Sequence, residues 1–178
     1  RKGTNDAPIR ETLAAALALI ARPRHDLVIW DPLCGSGTIA IETAMILQNV
    51  APGKNRAFLG EEYSFIPSHI WEDARREAQE NEVDTPYEVW GSDIDGEVIK
   101  LARENAEAAG VRVNFFQMDV SDIHTHGKRG TVICNPPYGE RLMDINEAEK
   151  LYRVMGKAFK RLENWQMYII TSDEYFEK

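Results

Sequence analysis

The segment Asn135-Pro136-Pro137-Tyr138 combines residue types that could hold a flat molecule carrying an amino group. It follows the apolar run Thr131-Val132-Ile133-Cys134, which predicts a buried strand with the motif at its carboxyl end. Two consecutive prolines stiffen the backbone and remove two N–H donors, so the carbonyls of this turn are left for other partners. The Asn135 oxygen and the Pro136 carbonyl could accept both N–H bonds of an exocyclic amine, and the Tyr138 ring could stack on the planar face. The alternative is a stiff turn that only ends the strand, with Tyr138 covering the core.

A second segment of this kind is the loop Asp31-Pro32-Leu33-Cys34-Gly35-Ser36-Gly37-Thr38. It lies between an apolar strand and a helix, which is the first unit of a nucleotide-binding α/β sheet. The glycine spacing matches neither the dinucleotide fingerprint nor the P-loop. Asp31 would repel a pyrophosphate and suits a cationic ligand better. This favours S-adenosylmethionine (AdoMet), whose amino and sulfonium groups are both positive, while the alternative role of Asp31 is to cap its own loop.

Two further acidic residues follow predicted strands. Asp93 ends the second strand, where a nucleotide-binding fold places the acid that binds the ribose hydroxyls. Ile94 would then lie against an adenine face, and Asp95 would cap the next helix. Asp119 ends the third strand and either accepts from the adenine amino group or caps its own turn. The insertion between the glycines and Asp93 makes their separation much longer than the usual gap of about 20 residues.

Strands and helices alternate along the chain, which predicts a doubly wound, mostly parallel α/β sheet. Strands are predicted at 27–30, 88–92, 111–118, 131–134 and 165–171. The first helix is capped by Asp6 and ended by Pro23, and further helices cover 39–48, 69–82, 96–109 and 146–162. Ligands bind at the carboxyl ends of such strands. We therefore expect four polar residues to converge at one edge of the sheet, which favours the ligand-holding interpretation of the Asn135 motif: Asp31, Asp93, Asp119 and Asn135.

The apolar spacing also predicts how two outer segments pack. The first helix should turn one face inward, formed by Ile9, Leu13, Ala16, Leu17 and Ile20. In the insertion at 50–67, the aromatic residues Phe58, Tyr63 and Phe65 should pack beneath the loop. His124 and His126 have no cysteine or carboxylate at ligand spacing, so an exposed polar loop is expected there rather than a metal site.

The composition predicts one soluble, cytoplasmic domain. The chain has 178 residues, 43% of them hydrophobic and 28% charged, and no apolar run approaches the roughly 18 residues of a membrane span. Its two cysteines, Cys34 and Cys134, are expected to be reduced thiols. The net charge of −8 argues against a self-sufficient nucleic-acid binder, which would usually be basic.

With these residues in view, the sequence resembles the AdoMet-dependent amino-methyltransferases. The loop at 31–38 resembles their cofactor loop, and the segment at 135–138 resembles their target-amine motif. More narrowly, the segments Asn5-Asp6-Ala7-Pro8-Ile9-Arg10-Glu11-Thr12-Leu13 and Gly139-Glu140-Arg141-Leu142 are similar to bacterial rRNA guanine-N2 methyltransferases. In that family a THUMP domain precedes the catalytic domain, and members have often been labelled N6-adenine-specific DNA methylases. The resemblance covers nearly the whole chain.

The resemblance implies a Rossmann-like class I methyltransferase that uses AdoMet, needs no metal and acts on ribosomal RNA. It implies cofactor contacts from the first loop and from the ends of the next three strands: Asp31, Cys34, Gly35, Ser36, Gly37, Thr38, Asp93, Ile94, Asp119 and Asn135. Within that set, Asp31 and the loop surround the methionine, Asp93 binds the ribose and Asp119 lies near the adenine. Asn135, the Pro136 carbonyl and Tyr138 would hold the target base.

The chain departs from this family at both ends. No THUMP domain precedes Arg1, and the family's final antiparallel hairpin is absent after Lys178, so residues 1–178 are expected to be the catalytic domain alone. Five strands then represent a fold that usually has seven. The basic RNA-binding surface is expected upstream, which would account for the negative charge of this part.

Four other functions compete with this one. N6-adenine methylation of DNA fits the Asn135 motif equally well, and methylation of a protein glutamine amide uses the same chemistry. A non-catalytic module that binds AdoMet or RNA is a further alternative, against which the intact motif argues. A nicotinamide dehydrogenase has the wrong glycine fingerprint.

Overall fold

The computed structural model describes residues 9–137, 145–173 and 176 of the chain. The helices are α1 (Glu11–Ala21), α2 (Thr38–Leu47), α3 (Ser68–Glu80), α4 (Gly96–Ala109) and α5 (Ile145–Phe159). The strands are β1 (Val28–Asp31), β2 (Glu88–Asp93), β3 (Asn114–Gln117), β4 (Gly130–Cys134) and β5 (Gln166–Ile169). Short 3₁₀ turns occur at Leu59–Glu62 and Val120–Asp122. Each predicted element is present, with ends that differ from the prediction by a few residues.

The five strands form one sheet in the order β3-β2-β1-β4-β5, and every neighbouring pair is parallel. The predicted doubly wound architecture is therefore confirmed. Since all strands point the same way, their carboxyl ends share one edge of the sheet. The chain order reverses direction between β1 and β4, and this is the place where open α/β sheets form a ligand-binding crevice.

Two apolar cores cover the two faces of the sheet. Within β1, Ile29 points into the core beneath α1, α2 and α4, whereas Val28 and Trp30 point into the core beneath α5. The central strands are buried on both sides, so their sequences are continuous runs rather than alternations of apolar and polar residues. The buried Trp30 indole donates to the Ser92 hydroxyl over 3.0 Å, which satisfies its one polar group.

The predicted inward face of α1 is only partly correct. Ile9 and Leu17 are half-buried and pack against the core, whereas Leu13 and Ile20 are 46% and 64% exposed. The fully buried residues of α1 are alanines, at 14, 18 and 21. α1 packs mainly against α2, and small side chains at the contact let the two helix backbones approach closely. The predicted cap at Asp6 lies outside the described residues, whereas the predicted end of the helix before Pro23 is confirmed by the left-handed backbone of Arg22.

The predicted packing of the insertion is also wrong for two of its three aromatic residues. Tyr63 and Phe65 are 48% and 78% exposed and stack on each other with ring centres 5.5 Å apart. Phe58 is half-buried and stacks on Trp71. No residue from 51 to 88 is buried. A segment this short cannot form a core of its own, so its rings pair with one another and α3 stays a solvated helix.

Candidate active site

Asp31 is the buried acidic group at the centre of the strand-end edge. It is only 3% exposed and accepts one hydrogen bond, from the Leu33 backbone N–H over 3.2 Å. Burial raises the pKa of the Asp31 carboxyl to about 8, and the charge of Asp93 adds to the rise, against the lowering effect of the Leu33 bond. A carboxylate that is buried with so little compensation is stabilised by a cationic partner. The loop-capping role is also present, because the Leu33 bond closes the first turn of the loop.

The glycine-rich loop is held by a hydrogen bond to β2 and by one within the loop. The Cys34 N–H donates to the Ser92 carbonyl of β2 over 2.9 Å, and the Gly37 N–H donates back to the Cys34 carbonyl over 2.8 Å. Gly35 and Gly37 both have left-handed backbone, at φ +51° and +86°. The loop ends at Gly37, from which α2 begins without a side-chain cap. Its first-turn N–H groups are therefore left for a ligand.

Asn105 is a positioning residue that the sequence pattern did not single out. It lies within α4, is 6% exposed, and donates from its side-chain nitrogen to the Ser36 carbonyl over 3.0 Å. The available signal was an amide placed on the inner face of the helix, where the other buried residues are alanine and aliphatic residues. Its bond ties the glycine-rich loop to the helix that follows β2.

Asp93 stands at the end of β2, as the sequence predicts. One carboxylate oxygen accepts from the Gly35 N–H over 3.0 Å, and the other accepts from the Asp95 N–H over 3.0 Å. A carboxylate has about four acceptor positions, so two bonds leave capacity for ribose hydroxyls. Asp95 caps α4 by accepting from the Glu97 N–H, which confirms its predicted role. Ile94 is 63% exposed beside them, an apolar side chain open to a planar ligand.

Asp119 performs the capping role that the sequence allowed as an alternative. Its carboxylate accepts from the Ser121 N–H over 2.7 Å at the start of a 3₁₀ turn, and this bond lowers its pKa. The side chain is half-buried two residues beyond β3. Contact between Asp119 and an adenine amino group stays a prediction. In that contact the amino group would donate to the carboxylate oxygen that does not accept from the Ser121 N–H.

The Asn135 turn follows β4 directly and lies beside the end of β1. Asn135 is half-buried and Pro136 is fully buried. The Pro137 carbonyl accepts a hydrogen bond from the Tyr152 hydroxyl of α5 over 3.1 Å. Among the described residues, no side-chain hydrogen bond of Asn135 is found. Tyr138 and the segment Gly139-Glu140-Arg141-Leu142 lie outside the described residues, so the predicted base-stacking role of Tyr138 stays a prediction.

Both cysteines lie close to this edge and are free thiols in the structure. Burial raises the pKa of Cys34 and of Cys134, and the negative charge of Asp31 raises both further. The charge of Asp93 also raises the pKa of Cys34. The thiols therefore stay protonated and act as small apolar groups that pack beneath the loop and the motif.

Other features of the described residues lie away from this edge. Two clefts of about 520 and 380 Å³ lie at the opposite, amino-terminal edge of the sheet, and Asp26, Leu27 and Arg129 line both. No cluster of three or more metal-ligating side chains is found in the described part of the chain. His124 and His126 contact each other in an exposed loop, with ring centres 3.7 Å apart. None of the described helices is long and apolar enough to span a membrane.

One protein family matches the chain over its whole length. The model of the family described as UPF0020, RMKL-like, methyltransferase domain covers residues 1–178. YpsC of Bacillus subtilis, provisionally named an RNA methyltransferase, is 46% identical over 175 residues, which are 97% of this chain and 46% of YpsC. The ribosomal RNA large subunit methyltransferase K/L of Legionella pneumophila is 37% identical over an alignment 186 positions long, which covers 100% of this chain and 26% of that protein. The chain thus spans less than half the length of these relatives.

Two crystal structures have the same fold at high sequence identity. One, from Listeria monocytogenes and named for an expected N6-adenine-specific DNA methylase activity, has a TM-score of 0.93 and 46% identity, over 99% of this chain and 47% of that one. The other, SMU.472, contains S-adenosylhomocysteine (SAH); it has a TM-score of 0.89 and 41% identity, over 97% of this chain and 47% of that one.

Proposed function

This chain belongs to the UPF0020 family of RMKL-like methyltransferase domains, and from that premise we propose that it transfers a methyl group from AdoMet to an exocyclic amine of a base in RNA. The more specific proposal is that the amine is N2 of a guanine in ribosomal RNA. The SAH found in SMU.472 supports AdoMet as the methyl donor. The names of the Legionella and Bacillus relatives support RNA as the substrate class.

The observation that carries the proposal is the Asn135 turn at the end of β4. Two prolines leave it without N–H donors at 136 and 137, while its carbonyls and the Asn135 side-chain oxygen are acceptors. Asn135 is half-buried and lies at the edge where Asp31 and Asp93 lie. A half-buried acceptor pair suits a group with two N–H donors, and a primary exocyclic amine is such a group.

The first loop and its neighbours fit the methyl donor on three points. The buried Asp31 carboxyl, with its raised pKa, lacks a positive partner among the described residues, and the amino group of AdoMet would supply one. A side chain added at Gly35 would meet no atom within 4 Å, so the space above this backbone is open. Ile94 offers an exposed apolar surface next to the Asp93 carboxylate, as an adenosine requires. Bound there, AdoMet supplies an electrophilic methyl group.

The protein groups act on the amine nitrogen. Its lone pair is delocalised into the purine ring, which makes it a poor nucleophile. By accepting both N–H bonds, the Asn135 oxygen and the Pro136 carbonyl would draw the lone pair out of conjugation with the ring and direct it toward the methyl group. They would also stabilise the positive charge that develops on nitrogen as the new N–C bond forms, the S–CH3 bond breaks and SAH is left. The nitrogen then releases its extra proton to water. Holding the nitrogen in line with the methyl group supplies the rest of the rate through proximity.

The target base must leave any helix to reach this turn. A base that is flipped or already unpaired can present its amine edge, and Tyr138 would stack on its face. Adenine N6 meets the same requirement as guanine N2, because both are exocyclic primary amines. The name of the Listeria structure favours adenine in DNA as the second candidate function.

Nucleoside analysis separates these functions. The full-length protein is incubated with labelled AdoMet and either ribosomal RNA from cells that lack the enzyme or duplex DNA, and the digested nucleosides are identified. We expect label in N2-methylguanosine of ribosomal RNA. Label in N6-methyladenine of DNA would instead establish the second candidate, and label in neither nucleic acid would reject methylation of a base.

The matched variant is Asn135→Ala in the same protein. We expect the methyl-transfer rate to fall on the order of a hundredfold or more, as for the loss of one preorganised polar contact, with SAH affinity changed little. Near-normal turnover combined with lost SAH affinity would make the turn part of the cofactor site and would refute its role in holding the amine.

A further inference from the structure

A hydrogen bond between α5 and the Asn135 turn affects which oxygen atoms of the turn can accept from the target amine. A turn with prolines at 136 and 137 cannot satisfy its carbonyls with its own N–H groups at those positions. It presents four oxygens that could accept an amine: the Asn135 side chain and the backbone carbonyls of Asn135, Pro136 and Pro137. An amine with two N–H bonds can choose several pairs among them, and only one pairing aims its lone pair correctly.

Tyr152 occupies one of the two lone pairs of the Pro137 carbonyl and so makes this oxygen a weaker competitor for the amine. Its hydroxyl donates to the Pro137 carbonyl over 3.1 Å across a sequence separation of 15 residues. The Tyr152 ring is half-buried against the core beneath α5, and it meets the Phe176 ring edge-on with centres 4.9 Å apart. A ring packed in this way has little rotational freedom, so the hydroxyl is held in place and the bond to the turn is directional.

We propose that Tyr152 is a positioning residue for methyl transfer: its hydroxyl engages the Pro137 carbonyl, so that the amine meets the Asn135 side chain and the carbonyls of Asn135 and Pro136 without competition from Pro137. This inference rests on the proposed function. Tyr152 itself does not touch the reacting atoms. It acts through the Pro137 carbonyl, whose direction its hydroxyl fixes.

The test is Tyr152→Phe in the full-length protein, because this change deletes the hydroxyl and keeps the packed ring. Freeing the Pro137 carbonyl gives the amine an additional, unproductive acceptor. We expect kcat for RNA methylation to fall about tenfold to a hundredfold, as for small misplacements of a reacting group. KM for RNA should stay constant or fall, and SAH affinity by calorimetry should not change. A merely structural defect would raise KM and weaken SAH binding as well.

Tyr87→Phe is the matched control. The Tyr87 hydroxyl is also hydrogen-bonded, donating to the Gln48 side chain over 2.9 Å and accepting from the Arg112 N–H over 3.1 Å. It lies next to the amino-terminal end of β2, at the edge opposite the Asn135 turn. This variant should lose thermal stability comparable to that of Tyr152→Phe and keep its kcat.

A second readout does not depend on activity. Hydrogen exchange should speed up in Tyr152→Phe at the amides of residues 131–135 and at Ile170, whose N–H donates to the Cys134 carbonyl beside the turn, and not in Tyr87→Phe. A kcat within twofold of the unmodified protein, an equal loss in Tyr87→Phe, or unchanged exchange at these amides would each overturn the proposal. If the unmodified protein methylates no base, the proposed function fails, and the exchange experiment still decides whether Tyr152 holds the turn.

Discussion

Asp31 and Asp93 show how two carboxylates side by side acquire different tasks from their surroundings. Asp93 accepts two backbone N–H groups and keeps room for further donors, whereas Asp31 accepts one bond and is sealed from water. Desolvation therefore dominates the titration of Asp31, and its pKa rises to about 8. The ligand-free site holds this carboxyl largely protonated near neutral pH, and a cationic ligand would have to displace the proton.

The first residue-scale prediction concerns Asp31 and pH. The folded pKa lies above the value of about 3.9 expected for an unfolded chain. The folded state therefore binds the additional proton between the two values, so the stability contribution is complete below about pH 4 and is lost as pH rises through 8. Asp31→Asn should match the unmodified protein in acid and exceed it by on the order of a few kcal/mol at pH 9. The same variant should bind SAH more weakly at every pH.

Thermal unfolding of the ligand-free chain at pH 5, 7 and 9 measures this difference. Asp119→Asn is the control with the opposite sign, since the Ser121 bond lowers the pKa of Asp119 and its contribution is lost as pH falls. A stability difference between Asp31→Asn and the unmodified chain that does not vary with pH would contradict the assignment.

The second residue-scale prediction concerns Asp93. Its removal deletes both the acceptor proposed for ribose and the bond that holds the Gly35 N–H. We expect Asp93→Ala to weaken SAH binding by about 1–3 kcal/mol, as for the loss of a charged acceptor. Isothermal calorimetry measures the change. Asp95→Ala is the control, because Asp95 lies two residues after Asp93 and caps α4. Equal losses in the two variants would show that Asp93 acts only through the fold.

At the scale of elements, the cofactor loop depends on the approach of β3 to the first two strands. The Phe115 ring of β3 fills the space next to both Gly37 and Gly91. A Cβ atom would lie 2.7 Å from that ring at Gly37 and 2.4 Å from it at Gly91, whereas at Gly35 it would meet nothing within 4 Å. Gly35 and Gly37 also have φ values of +51° and +86°, which side chains rarely adopt.

These three glycines separate backbone strain from steric overlap, which is the element-scale prediction. Gly35→Ala should cost about 1–2 kcal/mol of unfolding free energy from strain alone. Gly91→Ala should cost about 1–3 kcal/mol from overlap alone, and Gly37→Ala should show both costs. Combining each change with Phe115→Leu in chemical denaturation gives double-mutant cycles. The second change should restore stability to the Gly37 and Gly91 variants only; recovery in the Gly35 variant would refute this account.

At the scale of the whole molecule, the net charge of −8 limits how tightly the 178-residue chain can bind RNA. Nucleic-acid affinity at physiological salt comes largely from neutralised phosphates, and an acidic surface repels them. We expect the 178-residue chain to bind SAH normally and to bind RNA more weakly than about 10⁻⁴ M at 150 mM salt. YpsC, of which this chain spans 46%, is the longer protein for comparison.

Fluorescence anisotropy with a labelled ribosomal RNA fragment tests this prediction over a salt series. Tight, strongly salt-dependent binding by the 178-residue chain would show that its local basic residues suffice, and the proposed division between catalysis and RNA binding would be wrong. SAH calorimetry on the same preparation shows whether the chain is folded.

The sequence by itself determined the order of the elements, the class of sheet and the polar residues at the strand ends. These follow from short-range patterns: apolar runs, glycines, capping residues such as Asp95 and the Pro136-Pro137 turn are set by backbone geometry and by neighbours along the chain. Parallel strands then bring their carboxyl ends to one edge, so the convergence of Asp31, Asp93 and Asn135 could be predicted before any contact was known.

Only the tertiary structure decided which apolar side chains are buried and which polar groups hold the site. The apolar spacing of α1 predicted that its leucines and isoleucines would be the buried side chains. In the structure the fully buried residues are alanines, because α2 approaches α1 closely and leaves space only for small side chains. Asn105 and Tyr152 hold their partners, Ser36 and Pro137, across 69 and 15 residues of sequence. No local pattern encodes such pairs, because each bond exists only where folding brings a buried donor to a carbonyl that lacks one.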